Sequence, residues 1–191
     1  KVLASGKPMI LSTGVIDWPE LDDTMNFIRG EGTHEVALLK CTSNYPSDPK
    51  DSNLRAMPLL ASRYQTLIGL SDHTLGIGVA IASIAMGGCI IEKHITLDRS
   101  EGGVDAAFSL EPAEFATMVK ECTDAWKAMV LPALITHPRQ LGSSIFKRSI
   151  YAACDIEAGT AFSDQNLRVI RPAKGIPARQ YFDILGKTAS R

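Results

Sequence analysis

The sequence predicts an α/β protein built around parallel strands. Short apolar runs recur roughly every twenty to thirty residues, and segments with a helical spacing of apolar residues separate them. The runs do not alternate polar and apolar residues as a half-exposed antiparallel strand does, so both faces of each strand should be covered. Parallel strands require crossovers of this length, because the end of one strand lies far from the start of the next.

The pattern divides the first part of the chain into four strand–helix units. In the first helix, Asp17 is placed to cap the N-terminus, Pro19 occupies the first turn and Gly30 stands near the end. In the second helix, Pro58 should interrupt the regular structure. The predicted strands are 8–13, 35–42, 66–72 and 89–98, and the predicted helices are 17–32, 53–64, 76–86 and 111–130.

The last of these helices carries an apolar stripe that repeats with the period of an α-helix, which predicts one buried face along its length. The stripe comprises Phe115, Met118, Val119, Cys122, Trp126 and Met129.

Proline, glycine and serine gather after this helix, which is linker composition. We therefore divide the chain into a first domain at 1–132, a linker at 133–145 and a second, mostly β module at 146–191. The second module should contain two strands separated by a turn near Gly159, and we expect no closing strand of its own.

Composition limits the classes of partner. With 45% apolar residues, 21% charged residues and a net charge of -1, the chain gives no reason to expect nucleic acid or a membrane. The apolar stretch at 76–88 is too short and too rich in glycine to span a bilayer, so a cytoplasmic location is the default. The four cysteines form no C-x-x-C pair, which favours reduced thiols. The sequence starts at Lys1 and ends soon after a strand-like region, so we expect a piece of a longer protein.

Polar residues collect where each predicted strand ends. In a parallel barrel the carboxyl ends of the strands form the active-site face, because the loops there converge. Two of the four histidines, His73 and His94, occupy equivalent places after successive strands and should share a site. The polar residues at these four strand ends include Ser12, Thr13, Cys41, Thr42, Ser71, Thr74, Glu92 and His94.

Side chains alternate across a strand, which assigns each polar residue to one side of the sheet. On this basis His73 points away from the side of Asp72, and His94 points away from the side of Lys93. The side predicted for the site carries Ser71, His73, Glu92 and His94.

The paired histidines suggest a metal site. Two imidazoles with oxygen or water in the remaining positions suit Mn²⁺, Fe²⁺ or Zn²⁺, and open positions let the metal act as a Lewis acid on a carbonyl. The alternative is that His73 and His94 are each hydrogen-bonded structural residues. His34 and His137 lie in loop-like contexts and receive no role.

Weaker candidates lie nearby. The glycine-containing loop at 100–110 follows the fourth strand, and such loops often cover the substrate of an α/β barrel, with Asp105 as its carboxylate. Asp105 is equally consistent with a solvated turn residue. Lys40 and Lys93 could bind phosphate, or could be surface or ion-paired residues.

Seven motifs follow one another along the chain, in the order KPMILSTG, LLKCTSNYP, NLRAMP, IGLSDHT, EKHITLD, DAAFSLEPAEF and RSIYAACDIEAGTAFSDQNLRVIRP. In this order they resemble the sialic acid synthase family, whose members make nonulosonic acids from phosphoenolpyruvate. The combination of SDHT, EKH and D-x-x-FSLEP is highly specific, and AFSLEP resembles the pseudaminic acid synthase branch more than the N-acetylneuraminate branch.

The resemblance implies a fold. Family members have a (β/α)₈ TIM barrel followed by a small antifreeze-like β-clip (SAF) domain. This chain is similar to the C-terminal half of the barrel plus an incomplete SAF domain. The other half of the barrel would hold lysine and threonine contacts to phosphoenolpyruvate, so the piece alone should be inactive.

The resemblance also implies roles for individual residues. His73 and His94 match the metal-binding histidines of the family, which implies Mn²⁺ or another divalent ion such as Mg²⁺. Asp105 matches an acid that binds the acylamino sugar. Arg171 matches an arginine that the SAF domain inserts into the active site of a partner subunit, which implies a domain-swapped homodimer. The residues that match positions near phosphoenolpyruvate are Ser12, Ser43, Tyr45 and Ser71.

The chain departs from the family pattern at a few positions. Ser43 stands where some members have asparagine, and Val104 stands where members commonly have proline. Without the fixed φ of a proline, the loop should hold Asp105 less rigidly. The linker also lacks the charged segment that the family pattern leads us to expect.

The implied reaction joins phosphoenolpyruvate, water and 2,4-diacetamido-2,4,6-trideoxy-L-altrose to give pseudaminic acid and phosphate. Glu92 would act as a general acid or base, or would form an ion pair with a neighbouring lysine. One alternative is an N-acetylneuraminate or legionaminate synthase acting on a mannosamine-type sugar. A second alternative is a synthase on the same barrel that makes an eight-carbon keto acid. Such enzymes lack an appended SAF domain, so the segment RSIYAACDIEAG argues against this alternative. A non-catalytic saccharide-binding module with a degenerate barrel is the alternative of another class.

Overall fold

The computed structural model describes residues 2–32, 35–129 and 137–190. The chain divides into two compact units, Lys1–Pro132 and Ala133–Arg191. The first unit is built on a four-stranded parallel sheet and the second on a three-stranded antiparallel sheet.

The first unit consists of four successive strand–helix units, as the sequence predicts. Its strands pair in chain order, each parallel to the one before it. The strands are β1 (Met9–Ser12), β2 (Val36–Cys41), β3 (Leu67–Asp72) and β4 (Ile90–Lys93), and the helices are α1 (Trp18–Gly30), α2 (Ala56–Tyr64), α3 (Gly78–Ala85) and α4 (Pro112–Ala128).

The start of α1 shows why the sequence fixes the helix boundary. The Asp17 carboxylate accepts a hydrogen bond from the backbone N–H of Glu20 at 3.0 Å, and the Glu20 carboxylate accepts one from the backbone N–H of Asp17 at 3.2 Å. This reciprocal capping box satisfies two donors that the helix leaves free. The predicted cap at Asp17 is confirmed.

Two predicted details of the first unit are wrong. Pro58 does not interrupt α2, because it is the third residue of the helix, where a backbone N–H has no partner within the helix anyway. The fourth strand is also shorter than predicted, since β4 ends at Lys93 and Ile95 forms an isolated bridge with Leu110, outside the sheet. His94 therefore follows the strand directly.

The apolar stripe of α4 is buried only in part. Met118 is buried and packs with Ala80 of α3, whereas Val119 is 51% exposed and Trp126 is 66% exposed. Among the described residues, α4 packs chiefly on α3, so the side of the stripe turned away from α3 stays open. The prediction that the whole stripe forms one buried face is therefore wrong for this chain.

The core of the first unit lies between the sheet and helices α1 and α2. The residues of the sheet that face it alternate with residues that face the opposite side, as a pleated strand requires. The opposite side of β3 carries Gly69, where a Cβ atom would collide with the backbone of Ile90 and with Leu39. The buried core residues are Met9, Leu21, Met25, Ile28, Leu38, Met57, Leu60, Tyr64 and Ile68.

The second unit is built on a small β-sheet, and the two strands predicted for it are present. Its strands are β5 (Ser149–Ala152), β6 (Leu167–Ile170) and β7 (Ile176–Pro177), in the order β6-β5-β7, and a short helix α5 (Tyr181–Ile184) follows. The predicted turn is present, because Thr160 donates a backbone hydrogen bond to Glu157.

Two features of the second unit were not predicted. One is β7, which has only two residues. The other is a pairing of 186–189 with 159–162, in which the backbone N–H of Ala189 donates to Thr160 and that of Phe162 donates to Lys187. The pairing is an isolated bridge between Ala161 and Thr188 and not a further strand.

The predicted linker at 133–145 lies partly outside the described residues. Its described part belongs to a 3-10 helix, Pro138–Phe146, capped by the side chain of His137. No helix in the described ranges combines the length and the apolar character needed to cross a membrane. All four cysteines carry free thiols.

Candidate active site

The two histidines after β3 and β4 face each other. The ring centroids of His73 and His94 lie 5.2 Å apart, and the ring planes are inclined at 75°. Both residues follow their strands at the same edge of the parallel sheet, so the register of the sheet brings them together. Two imidazoles thus converge on one place.

His73 is held in an orientation that leaves one ring nitrogen available. Its Nδ1 lies 2.8 Å from the backbone carbonyl oxygen of Thr42, and the residue is only 6% exposed. Because a carbonyl oxygen can only accept, the hydrogen bond requires a proton on Nδ1. In the neutral imidazole Nε2 then keeps its lone pair, which is the arrangement of a metal-binding histidine oriented by a carbonyl.

His94 is more open and lies beside a carboxylate. Its Nδ1 is 3.6 Å from Oδ2 of Asp105, and the two side chains are 31% and 47% exposed. Asp105 therefore lies next to the histidine pair, in the loop after β4. Val104, which stands where the family pattern has proline, is fully exposed.

The donor set fits a divalent ion with open positions. Within the described ranges, no three or more histidine, cysteine, aspartate or glutamate side chains cluster as a complete ligand set. If both bound one ion, His73 and His94 would supply two nitrogen ligands, and substrate or water would fill the remaining positions, as in sites where the metal acts as a Lewis acid.

Two aromatic rings complete this cluster. The Tyr45 ring lies 4.1 Å from that of His73, and the Phe108 ring lies 5.0 Å from that of His94, between centroids. Tyr45 is 54% exposed, whereas Phe108 is buried. Sequence reasoning assigned no role to Phe108, although a single aromatic residue in a polar loop was a usable signal.

Glu92 lies on the same side of the sheet as the histidines. Ser71 donates a hydrogen bond of 2.6 Å to Oε1 of Glu92, and the two residues are directly paired between β3 and β4. The predicted alternation of sides is confirmed. In the part of the chain that the structure describes, Glu92 does not form the ion pair that was expected with a neighbouring lysine, and Lys93 pairs with Asp72 on the other side.

The other side of these strands carries a buried ion pair. Lys93 Nζ lies 2.8 Å from Oδ2 of Asp72, and each side chain is 1% exposed. This pairing excludes Lys93 as a phosphate ligand. Burial, with the nearby negative charge of Asp72, raises the pKa of the Cys122 thiol on α4.

The Lys40 side chain is hydrogen-bonded to residues at the end of its own strand, β2. Its Nζ donates a 2.7 Å hydrogen bond to the carbonyl oxygen of Cys41 and a 3.4 Å bond to Thr42. Desolvation lowers the pKa of Lys40. The side chain therefore helps to shape the segment that holds His73.

The remaining predicted residues are Ser12, Ser43 and Arg171. Ser12 is the last residue of β1. Ser43 follows β2, and its hydroxyl lies so close to Gly14 that a Cβ atom on residue 14 would collide with the hydroxyl. Both side chains are exposed at the carboxyl edge of the sheet, and no hydrogen bond in the described part of the chain joins them to the histidines. Arg171 is an exposed residue of the second unit, between β6 and β7.

Solved structures show the class of fold. N-acetylneuraminic acid synthetase from Leptospira borgpetersenii superimposes with a TM-score of 0.69 and 34% identity, over 74% of this chain and 50% of that one. The spore coat polysaccharide biosynthesis protein spsE of Bacillus subtilis superimposes with a TM-score of 0.64 and 29% identity, over 100% of this chain and 59% of that one. The fold is thus half of a TIM barrel.

Sequence comparisons define the family. The NeuB family matches residues 1–131, and the SAF domain matches residues 147–191. The chain belongs to the NeuB family and carries a SAF domain. The resemblance inferred from the motifs is confirmed.

Curated relatives are synthases of related sugars. The chain is 37% identical to N,N'-diacetyllegionaminic acid synthase and 36% identical to pseudaminic acid synthase, both of Campylobacter jejuni, over 100% and 97% of its length. It is 32% identical to N-acetylneuraminate-9-phosphate synthase of Mus musculus over 98% of its length. The chain spans 58%, 54% and 53% of these relatives, respectively.

Proposed function

We propose that the full-length protein is a nonulosonic acid synthase, which joins phosphoenolpyruvate to an N-acylated amino sugar and releases phosphate. The observation that carries the proposal is the facing pair of His73 and His94, at the carboxyl ends of neighbouring strands in a NeuB-family chain. The names of the relatives support the class of product.

His73 and His94 would hold a divalent ion, Mn²⁺ or another such as Mg²⁺. When bound, the ion would supply Lewis acidity that polarises the aldehyde of the open-chain sugar. The carbonyl of Thr42 accepts a hydrogen bond from Nδ1 of His73, so Nε2 is the ring nitrogen that this chain presents as a ligand. Two imidazoles do not by themselves select Mn²⁺ over Fe²⁺ or Zn²⁺.

The reaction forms two bonds and breaks one. C3 of phosphoenolpyruvate bonds to the aldehyde carbon of the sugar, water adds at C2, and the C2–O bond to phosphate breaks. The attacking water loses both of its protons: the former aldehyde oxygen gains one, and phosphate takes the other as the C2 hydroxyl becomes the keto oxygen. Glu92, oriented by Ser71 at 2.6 Å, is the carboxylate that we place in this proton transfer.

The substrates would lie on either side of the histidines. We assign Ser12, Ser43, Tyr45 and Ser71 to phosphoenolpyruvate, and the Asp105 side chain, which is half-exposed beside His94, to the acylamino sugar. Tyr45 and Phe108 would shield the reacting atoms from bulk water. Arg171 would be supplied by the partner subunit of a domain-swapped homodimer, and a cytoplasmic location stays a prediction.

The favoured sugar is 2,4-diacetamido-2,4,6-trideoxy-L-altrose, because the AFSLEP motif resembles the pseudaminic acid branch. A mannosamine-type sugar is the second candidate, since the identity to a legionaminic acid synthase is just as high.

The test uses the full-length protein with phosphoenolpyruvate, Mn²⁺ and each sugar in turn, with and without a chelator, and reads product masses. A chelator-sensitive product from the altrose derivative supports a pseudaminic acid synthase. A product from N-acetylmannosamine alone moves the protein to the second candidate. No condensation product with either sugar would contradict both and favour a saccharide-binding module.

A further inference from the structure

A buried ion pair joins the two strand ends that carry the histidines. Asp72 precedes His73, Lys93 precedes His94, and Asp72 and Lys93 are direct partners in the register of β3 and β4. Their charged atoms lie 2.8 Å apart, and both side chains are 1% exposed. The pair therefore bridges the sheet one residue before each imidazole.

The pair belongs to a small closed network. Oδ1 of Asp72 accepts hydrogen bonds from the backbone N–H of Thr74 at 2.9 Å and from its hydroxyl at 2.7 Å. Lys93 Nζ donates to the carbonyl oxygen of Thr74 at 2.5 Å. Thr74 is 1% exposed and follows His73, so the network fixes the backbone on both sides of that histidine.

Burying two charges in a core costs desolvation free energy. An apolar pair of similar volume often stabilises a protein as well or better, so a buried ion pair is weak evidence of a role in stability. What a charged pair adds is directional contacts that fix one arrangement. Because side chains alternate along a strand, holding Asp72 and Lys93 on the helix side holds His73 and His94 on the other.

Neither charged residue can touch a ligand between the histidines. Both project to the opposite side of the sheet, towards α4, where Asp72 influences the Cys122 thiol. The direct contacts of the two rings are made by other groups, the Thr42 carbonyl for His73 and the Asp105 carboxylate for His94. The ion pair can act on the site only by setting where the two strand ends lie.

We propose that Asp72 and Lys93 are positioning residues, which hold the two imidazoles at the separation that lets both bind one divalent ion. This inference rests on the proposed function, because it assumes that His73 and His94 share a metal. Groups that orient metal ligands usually affect affinity by about 10- to 100-fold, and we expect an effect in this range.

The test measures Mn²⁺ binding to the full-length protein without substrates, from the electron paramagnetic resonance signal of free Mn²⁺, well below the unfolding temperature. Asp72→Asn or Lys93→Met alone leaves one charged residue buried without its partner, which is strongly destabilising. The decisive variant is therefore the double one, Asp72→Asn with Lys93→Met. We expect its Kd for Mn²⁺ to be at least about tenfold higher than that of the unmodified protein.

Two further variants complete the design. Asp22→Asn breaks another carboxylate–cation pair, the one that links Asp22 of α1 to Arg63 of α2, and should leave the Kd for Mn²⁺ unchanged. Thr74→Val removes only the hydroxyl donor to Asp72. If the double variant does not fold, the proposal is tested with Thr74→Val instead. A several-fold higher Kd for Mn²⁺ in Thr74→Val then supports the proposal, and an unchanged Kd overturns it.

His73→Ala separates this inference from the proposed function. If His73→Ala abolishes Mn²⁺ binding and the folded double variant binds normally, the positioning role of Asp72 and Lys93 is overturned and the metal site stands. If His73→Ala also binds Mn²⁺ normally, the metal site itself is wrong, and this inference falls with it.

Discussion

The Ser71 hydroxyl donates a 2.6 Å hydrogen bond to Glu92, and this bond links β3 to β4 two residues before each histidine of the site. One side of the sheet therefore carries a carboxylate and two imidazoles in successive layers. The other side of the same strands carries the buried pair of Asp72 and Lys93. The alternation of side chains along a strand therefore places the candidate site residues on one side of the sheet and the structural ion pair on the other.

Replacing Glu92 by glutamine should lower kcat by about 10²- to 10⁴-fold in the full-length enzyme. Glutamine can still accept the hydrogen bond from Ser71, but it cannot take up a proton from water. The measurement is the rate of phosphate release at saturating substrates, together with the Kd for Mn²⁺, which should change little. Glu20→Gln, in the capping box of α1, is the matched control. A Glu92→Gln enzyme with normal kcat would remove Glu92 from the proton transfer.

Gly69→Ala should reduce the free energy of unfolding by roughly 1–3 kcal/mol, because the new methyl group must displace tightly packed atoms. A Cβ at Gly69 would lie 2.6 Å from a methyl of Leu39 and would also collide with the carbonyl of Ile90 in β4. Gly30→Ala is the control, since a Cβ there meets open space at the end of α1 and should be neutral or stabilising by less than about 1 kcal/mol. Denaturant titration of both variants checks the contrast. Equal effects would show that β3 and β4 do not approach as closely as described.

Glu114→Gln should change how stability depends on pH. Hydrogen bonds from Arg99, and then from the backbone of Glu111, lower the pKa of Glu114 from 4.5 to about 2. A lowered pKa in the folded state means that the charged pair stabilises fully above about pH 4.5 and loses this effect as the pH falls through about 2. The difference in Tm between the original protein and Glu114→Gln should therefore be largest near neutral pH and shrink in that window. A difference independent of pH would contradict the ion pair.

Tyr151→Phe should weaken the segment that carries Arg171. The Tyr151 hydroxyl donates to the carbonyl oxygen of Pro172 at 2.6 Å and accepts from the backbone N–H of Lys174 at 3.2 Å. Its loss should cost about 1 kcal/mol of stability. If Arg171 acts on the sugar, the KM for the sugar should rise several-fold with the Kd for Mn²⁺ unchanged.

The control for this change is Tyr181→Phe, whose hydroxyl makes no recorded hydrogen bond in the described part of the chain. It should alter neither KM nor stability. An unchanged KM in Tyr151→Phe, with the expected loss of stability, would mean that the segment supports the SAF domain only.

The presence of the four strands of the first unit, the sides of their residues and the meeting of His73 with His94 could be predicted from the sequence. Each depends on a local period, either the two-residue alternation of a strand or the repeated strand–helix unit, and parallel strands then align their ends without further information. The pairing of Asp72 with Lys93 depends on the same register of β3 and β4 that brings His73 and His94 together. The sequence therefore allowed this pairing, but Lys93 was assigned either to phosphate or to an ion pair without a named partner. The contact of Glu92 with Ser71 follows from the same register.

Other misses have different physical causes. The extent of the exposed stripe on α4, with Val119 and Trp126, depends on what packs against the helix, and periodicity reports only which face is apolar. Strand β7 has two residues, one of them proline, which is too short for any period to show. Phe108 contacts His94 from the end of a 3-10 helix, Ala106–Phe108, which is too short to show a repeat.

The central claim is that His73 and His94 form one metal-dependent site for condensation. The most direct measurement compares product formation by the full-length protein, by its His94→Ala variant and by its His137→Ala variant, with phosphoenolpyruvate, the active sugar and Mn²⁺. The account predicts that His94→Ala loses nearly all product formation and that His137→Ala, whose ring caps a 3-10 helix in the second unit, keeps it. Full product formation by His94→Ala would contradict the account.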